Sequence, residues 1–127
     1  MTNHIWITTS ALVAVLLFAI NASAVEDWDN DGVSDDIDNC TEVPNAGQED
    51  SDENGYGNIC DGDLNNDLIV AVGDFSIFAG CMSMPGEGAR SGCFDSDFNS
   101  DHKVNGADFT LLEAMFNKPP GPSGAAM

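Results

Sequence analysis

Positive charge is almost missing from this chain of 127 residues. Arg90, Lys103 and Lys118 are its only basic side chains, against 22 acidic ones, and the formal net charge is −19. Such a surface repels phosphate, which argues against nucleic acid and anionic membranes as partners. Two uses remain for so much acid: solvating a disordered chain or binding cations. Long hydrophobic runs are scarce as well. The exception is "ALVAVLLFAI" at residues 11–20, followed by "ASA" at Ala22 to Ala24. An apolar run ahead of a small-x-small triplet reads as a signal peptide, here residues 1–24, although no Lys or Arg precedes the run. A retained membrane anchor is the alternative, since residues 5–24 approach spanning length.

The chain also lacks the parts of a catalytic site. Beyond residue 24 its one histidine is His102, with no nucleophile constellation around it. Adjacent carboxylates such as Asp35 and Asp36 fall inside the cation loops described below, where a bound ion keeps carboxylates ionised. No catalytic residue and no organic cofactor site is therefore assigned. A CxxC metal or redox motif is missing too. The four cysteines, Cys40, Cys60, Cys81 and Cys93, read as two disulfides in a small exported domain, with three pairings open. The local pairing, Cys40–Cys60 and Cys81–Cys93, is the one expected. Large aliphatic residues are concentrated in two short segments, so disulfides, metal or both must supplement a limited core.

What the chain has in abundance is spaced oxygen. "DFNSDHKVNGAD" at residues 97–108 places Asp97, Asn99 and Asp101 at steps 1, 3 and 5, Asn105 at step 9 and Asp108 at step 12. A hard divalent cation explains this spacing. Calcium takes six to eight oxygens, and a twelve-residue loop wraps it with ligands from steps 1, 3, 5, 7, 9 and 12, step 7 offering its carbonyl. The register recurs three more times. Loop one has Asp27, Asp29, Asp31, the Val33 carbonyl, Asp35 and Asp38. Loop two has Asp50, Asp52, Asn54, the Tyr56 carbonyl, Asn58 and Asp61. Loop three has Asp63, Asn65, Asp67, the Ile69 carbonyl and Asp74, with Ala71 at step 9. Loop four completes its set with the Lys103 carbonyl. Up to four Ca2+ ions are expected. Trp28, between Asp27 and Asp29, should report on loop one.

Step 6 calls for left-handed backbone. Gly32 and Gly55 supply it in loops one and two, whereas Leu68 and His102 must accept it in loops three and four. All four loops end in Asp where tight sensor loops use Glu. The shorter arm grips less well and suits millimolar extracellular calcium.

The flanks divide the loops into two pairs. Loops three and four carry Val70 and Val104 at step 8, where paired loops can form a strand bridge. Each is followed by a helical stripe, Phe75, Phe78 and Met82, then Phe109, Leu112 and Phe116, at a constant offset of 34 residues. These two stripes are expected to pack face to face. Ile77, Leu111 and Met115 fall off the stripes and are candidates for an exposed apolar contact or a wider core. This tandem D-x-N-x-D loop–helix pattern over residues 62–117 resembles the dockerin family. The resemblance implies calcium at both loops and a cohesin-like protein partner. Steps 10 and 11, which carry partner specificity in that family, are Val72, Gly73, Gly106 and Ala107 here, a departure from its usual hydroxyl residues.

Loops one and two have Ser34 and Gly57 at step 8 and no following helix. Residues 27–61, with Asp38-Asn39-Cys40, Asn45, Gln48 and Cys60-Asp61, resemble the thrombospondin type 3 repeat. Thr41 stands where that family usually has Pro. Such repeats imply chain wrapped around calcium with almost no apolar core. The expected architecture is thus small and stabilised by calcium and disulfides. A signal peptide (1–24) precedes an irregular calcium-wrapped repeat (25–61). A mainly α dockerin-like pair of EF-hand-like loop–helix units (62–117) and a disordered Pro/Gly tail (118–127) follow. The expected function is a secreted or cell-surface calcium-binding docking module on a stiff spacer. The alternative is a purely structural adhesion or matrix element without such a partner.

Overall fold

A computed structural model describes residues 25–82 and 92–126. The expected signal peptide and most of the glycine-rich connection between the helices lie outside them. Two α-helices dominate, α1 (Val72–Met82) and α2 (Gly106–Met115), and two single 3-10 turns, Asn58–Cys60 and Phe94–Ser96, precede loops three and four. Among the described residues no helix is long and apolar enough to cross a membrane. Residues 25–57 fold without regular secondary structure, as expected of a chain that winds through side-chain hydrogen bonds.

Both helices start where an expected cation loop ends, for the same local reason. Asp108 reaches back to the Asn105 N–H at 2.9 Å while the Asn105 side chain accepts from the Ala107 N–H, a reciprocal cap. Asp74 does likewise for α1, accepting from the Ala71 N–H at 2.7 Å. The loop's last acid thereby meets the orphan donors and the positive dipole end of its helix. α2 stops at Phe116, and left-handed Asn117 then turns the chain before Pro119 and Pro120.

Phe78, Phe98, Leu112 and Val70 are fully buried and form the core, flanked by Leu64, Phe75, Val104, Phe109, Leu111 and Met115. Phe78 stacks on Phe98 with ring centroids 5.9 Å apart, and Phe75 meets the edges of Phe109 and Phe116 at 5.8 and 5.4 Å. The helices do face each other, and Phe75, Phe78, Phe109 and Leu112 of the expected stripes lie in or against the core, but the stripes are not the whole of it. Met82 and Phe116 are 46% and 40% exposed, and Leu111 and Met115 pack inward instead. Phe98, at step 2 of loop four, takes the central place, and Leu64 occupies the same step in loop three.

Two further expectations are corrected. Val70 and Val104 do not bridge. Val70 pairs with the segment after α2, donating to the Lys118 carbonyl and accepting from the Asn117 N–H, both at 2.9 Å. The turn at Asn117 brings that segment alongside Val70 and takes up both of its backbone groups. Nor is the tail disordered. Residues 118–126 run back over the first half. Gly121 donates to the Cys60 carbonyl, Thr41 to the Pro122 carbonyl and Gly124 to the Asp38 carbonyl, at 2.9–3.1 Å. Pro120 is buried. The small residues that suggest disorder are those that allow this approach: a Cβ at position 124 would run into the Asp35 carbonyl.

The disulfides are Cys40–Cys60 and Cys81–Cys93, with Cα atoms 5.9 and 5.6 Å apart. The first joins the exits of loops one and two. The second fastens the end of α1 to the approach to loop four.

Candidate metal centre

In all four loops the acidic side chains turn inward onto the loop's own amides, in one register. At step 1, Asp27 accepts from the Gly32 N–H at 3.2 Å, Asp50 from Gly55 at 2.9 Å, Asp63 from Leu68 at 2.5 Å and Asp97 from His102 at 2.7 Å. At step 3, Asp29, Asp52, Asn65 and Asn99 each accept from the step-5 N–H at 2.9–3.2 Å. At step 5, Asp31, Asn54, Asp67 and Asp101 accept from the N–H of Val33, Tyr56, Ile69 and Lys103 at 2.8–3.2 Å. In loops two to four the second oxygen of the step-1 acid, Asp50, Asp63 or Asp97, also accepts, from the step-5 N–H at 3.0–3.3 Å.

The backbone obliges at two points per loop. Step 6 is left-handed at Gly32, Gly55, Leu68 and His102, with φ from 67° to 95°. Step 4 is left-handed as well, at Asn30, Glu53, Asn66 and Ser100, with φ from 55° to 62°. The second set escaped sequence reasoning, although Asn, which tolerates this region best after Gly, fills two of the four places.

Steps 9 and 12 separate the pairs of loops. In loops three and four the step-12 acid closes the ring: Asp74 and Asp108 accept from the N–H of Asn65 and Asn99 at 3.2 and 3.3 Å as well as capping their helices. Asn105 gives its oxygen to the α2 cap. In loops one and two step 9 closes the ring instead. Asp35 accepts from the Trp28 N–H and Asn58 from the Ser51 N–H, both at 2.9 Å. The step-12 acids Asp38 and Asp61 then cap the chain two residues on, at Cys40 and Asp63, again at 2.9 Å.

Asn39, Asn45 and Gln48 hold loop one from behind. Gln48 donates to Asp38 Oδ1 at 2.7 Å and accepts from the Asn39 N–H at 2.9 Å. The Asn45 N–H reaches Asp31 Oδ2 at 2.8 Å, and its side-chain amide reaches Asn39 at 2.6 Å. Loops two and three are linked by Asn66, which the ligand spacing does not pick out. Its amide donates to Asp52 at 2.9 Å, and its oxygen accepts from Asn54 at 2.8 Å.

Loop one answers whether these residues fit a cation. Asp27, Asp29 and Asp31 each bring one carboxylate oxygen within 4.8 Å of the other two. Asp27 Oδ1, Asp29 Oδ2 and Asp38 Oδ2 are buried without a hydrogen-bond partner among the described residues. Buried carboxylate oxygens without donors are costly unless a cation meets them. An all-oxygen set of short-armed acids fits calcium, a hard ion. The carboxyls register the same strain. Burial raises Asp29, with Asp31, Asp38 and Asp27 adding repulsion, and burial likewise raises Asp97. Asp61 is pushed up to about 6 by burial, with Asp52 and Asp63 adding to it against the Asn54 amide and the Asp63 N–H. Asp95, outside the loops, is raised by burial and by Asp52 and Asp50.

Residues 25–48 and 49–74 match the thrombospondin type 3 repeat. Repeats of this family are extracellular calcium-binding elements, structural rather than catalytic. The second match runs on through Asp74, so it takes in loop three as well as loop two. The comparisons lend no support to the dockerin resemblance of residues 62–117. No curated protein and no solved structure matches the chain.

Proposed function

We propose that this chain is an extracellular calcium-binding element that holds up to four ions and owes its shape to them. The three partnerless, buried carboxylate oxygens of loop one carry this reading. Calcium supplies the charge that those oxygens and their neighbours lack. Asp27, Asp29, Asp31, Asp35 and Asp38 would hold it in loop one, and the corresponding residues in the other loops. The amide network on each loop presets the ligands, so binding stiffens a segment with almost no apolar core. Chelation should therefore collapse the tertiary amide spectrum, most completely across residues 26–61, where carboxylates repel and little core compensates. A spectrum unchanged in excess chelator overturns the proposal.

A second reading adds docking of residues 62–117 to a cohesin-like partner at the surface. Its support is an apolar groove of about 460 Å³ at the start of α1 and the end of α2, lined by Val72, Phe75, Glu113 and Phe116. Val72 is 72% exposed. Of the contact candidates taken from the sequence, Ile77 stays exposed, while Leu111 and Met115 are packed. Val72→Asp should abolish capture by a cohesin-bearing scaffold and leave calcium-dependent folding intact. Asp97→Ala should reduce both. If the calcium-loaded chain binds no member of a cohesin panel, the docking role falls and the structural element remains.

A further inference from the structure

We propose that residues 119–126 are a strap that positions the ends of loops one and two for their ions, so that the two sites fill cooperatively. The inference rests on the calcium reading above and extends it to a segment outside every loop.

The strap makes its contacts at ligand-bearing positions. The Gly124 N–H donates to the carbonyl of Asp38, the last ligand of loop one, at 2.9 Å. The neighbouring Ser123 hydroxyl donates to the carbonyl of Gly55, the turn residue of loop two, at 2.6 Å. Adjacent residues therefore hold one loop by its end and the other by its turn, 86 and 68 residues back along the chain (124 to 38 and 123 to 55). The Ser123 oxygen in turn accepts from the N–H of Ala125 and of Ala126, both at 3.0 Å, which curls the strap around it. A hydroxyl has one proton to give, and its 2.6 Å bond assigns that proton to Gly55.

Steric fit points the same way. Gly55 has φ +92°, and a Cβ there would lie 2.7 Å from the Ala126 backbone. Gly121 has φ +84°, and a Cβ there would meet the Tyr56 ring at 2.9 Å, at the residue whose carbonyl loop two offers. Gly121 also donates to the Cys60 carbonyl, next to the loop-two ligand Asp61. Glycine is thus required where the strap crosses each loop.

Seating the strap needs both loops in their wound form. Calcium in either loop preforms half of the strap's seat, and the seated strap favours the wound form of the other loop. By linkage the effect is reciprocal.

The test is a double-mutant cycle on the full chain with Trp6→Phe, which leaves Trp28 as its one tryptophan. Trp28 fluorescence follows calcium at loop one, and Asp50→Ala disables loop two. In the parent chain Asp50→Ala should raise the calcium midpoint of Trp28 by about fivefold or more. Gly124→Val should raise the midpoint by itself, and in that background Asp50→Ala should add less than about twofold. The helix signal in saturating calcium checks that α1 and α2 persist. If Gly124→Val does not fold, Ser123→Ala, which removes only the hydroxyl, takes its place in the cycle. An Asp50→Ala shift that is undiminished in the strap variant overturns the strap. A parent chain whose Trp28 ignores calcium overturns the calcium reading and the strap with it.

Discussion

Asp61, a ligand of the proposed loop-two site, is expensive to keep charged without an ion. Its carboxyl is pushed up to about 6 from an ordinary 3.8, burial being the chief cause. In the calcium-free chain its charge is a burden at neutral pH. That burden lifts as pH falls through about 6 toward 3.8, because the folded state then takes up a proton that the unfolded state does not. Protons and calcium compete for the same oxygen, so calcium binding must weaken over the same window. Relative to pH 7.5, loop-two affinity should fall about tenfold at pH 5 through this group alone. Calorimetric titration of the parent chain and Asp61→Asn checks it. Asp61→Asn should bind more weakly at pH 7.5 and lose most of this dependence. An equal pH slope in the two proteins would refute the assignment.

The spacing made the inward-turned residues at steps 1, 3 and 5 legible, since the register of a twelve-residue cation loop fixes where its oxygens fall. The second left-handed position was not legible, because Asn30, Glu53, Asn66 and Ser100 share no chemistry that a pattern detects. Asn66 was hidden for a different reason. Its bonds to Asp52 and Asn54 cross from one loop to another, and spacing within a loop carries no information about that.

At the scale of elements, the helix pair depends on a residue that belongs to neither helix. Phe98 is fully buried and stacks on Phe78, whereas Met82, on the expected stripe, is 46% exposed. Helical periodicity identifies a face but not the object that covers it. Here the object is a loop side chain one step from Asp97, so the apolar stripe and the calcium loop share a wall. Phe98→Ala should cost about 3–5 kcal/mol of stability in saturating calcium, as expected for emptying a packed aromatic site. Met82→Ala should cost less than about 1 kcal/mol, as for a surface substitution. Chemical denaturation of the two variants checks the ranking, and equal losses would contradict this account of the core. The caps allow a finer check. Asn105→Ala removes the side-chain acceptor for Ala107 and should cost about 1 kcal/mol, seen as fraying at the start of α2 by amide exchange.

At the scale of the whole molecule, the expected loose tail gives way to a chain that closes on itself. The segment after α2 pairs with Val70, and residues 121–124 hydrogen-bond to Thr41, Cys60, Asp38 and Gly55. No local pattern announces such a return, since Gly and Pro read as loose chain whether or not they are gripped. The closure and the two disulfides have a mechanical meaning. Suppose residues 25 and 126 are pulled apart. The tail, at the pulled end, should yield before the core. The spans 40–60 and 81–93, closed by bridges of sequence separation 20 and 12, cannot lengthen at all. At full extension they withhold roughly 60 and 35 Å of chain from the pull. Single-molecule stretching should show an early, calcium-dependent release of the tail. Full extension should then fall short of the sequence length by these two amounts, and a reducing agent should restore them. A calcium-loaded chain that extends to its whole length without reductant would refute this. With that limit in place, the molecule would serve in tension as a tether with a set stop, its slack released by calcium loss and its final length fixed by sulfur.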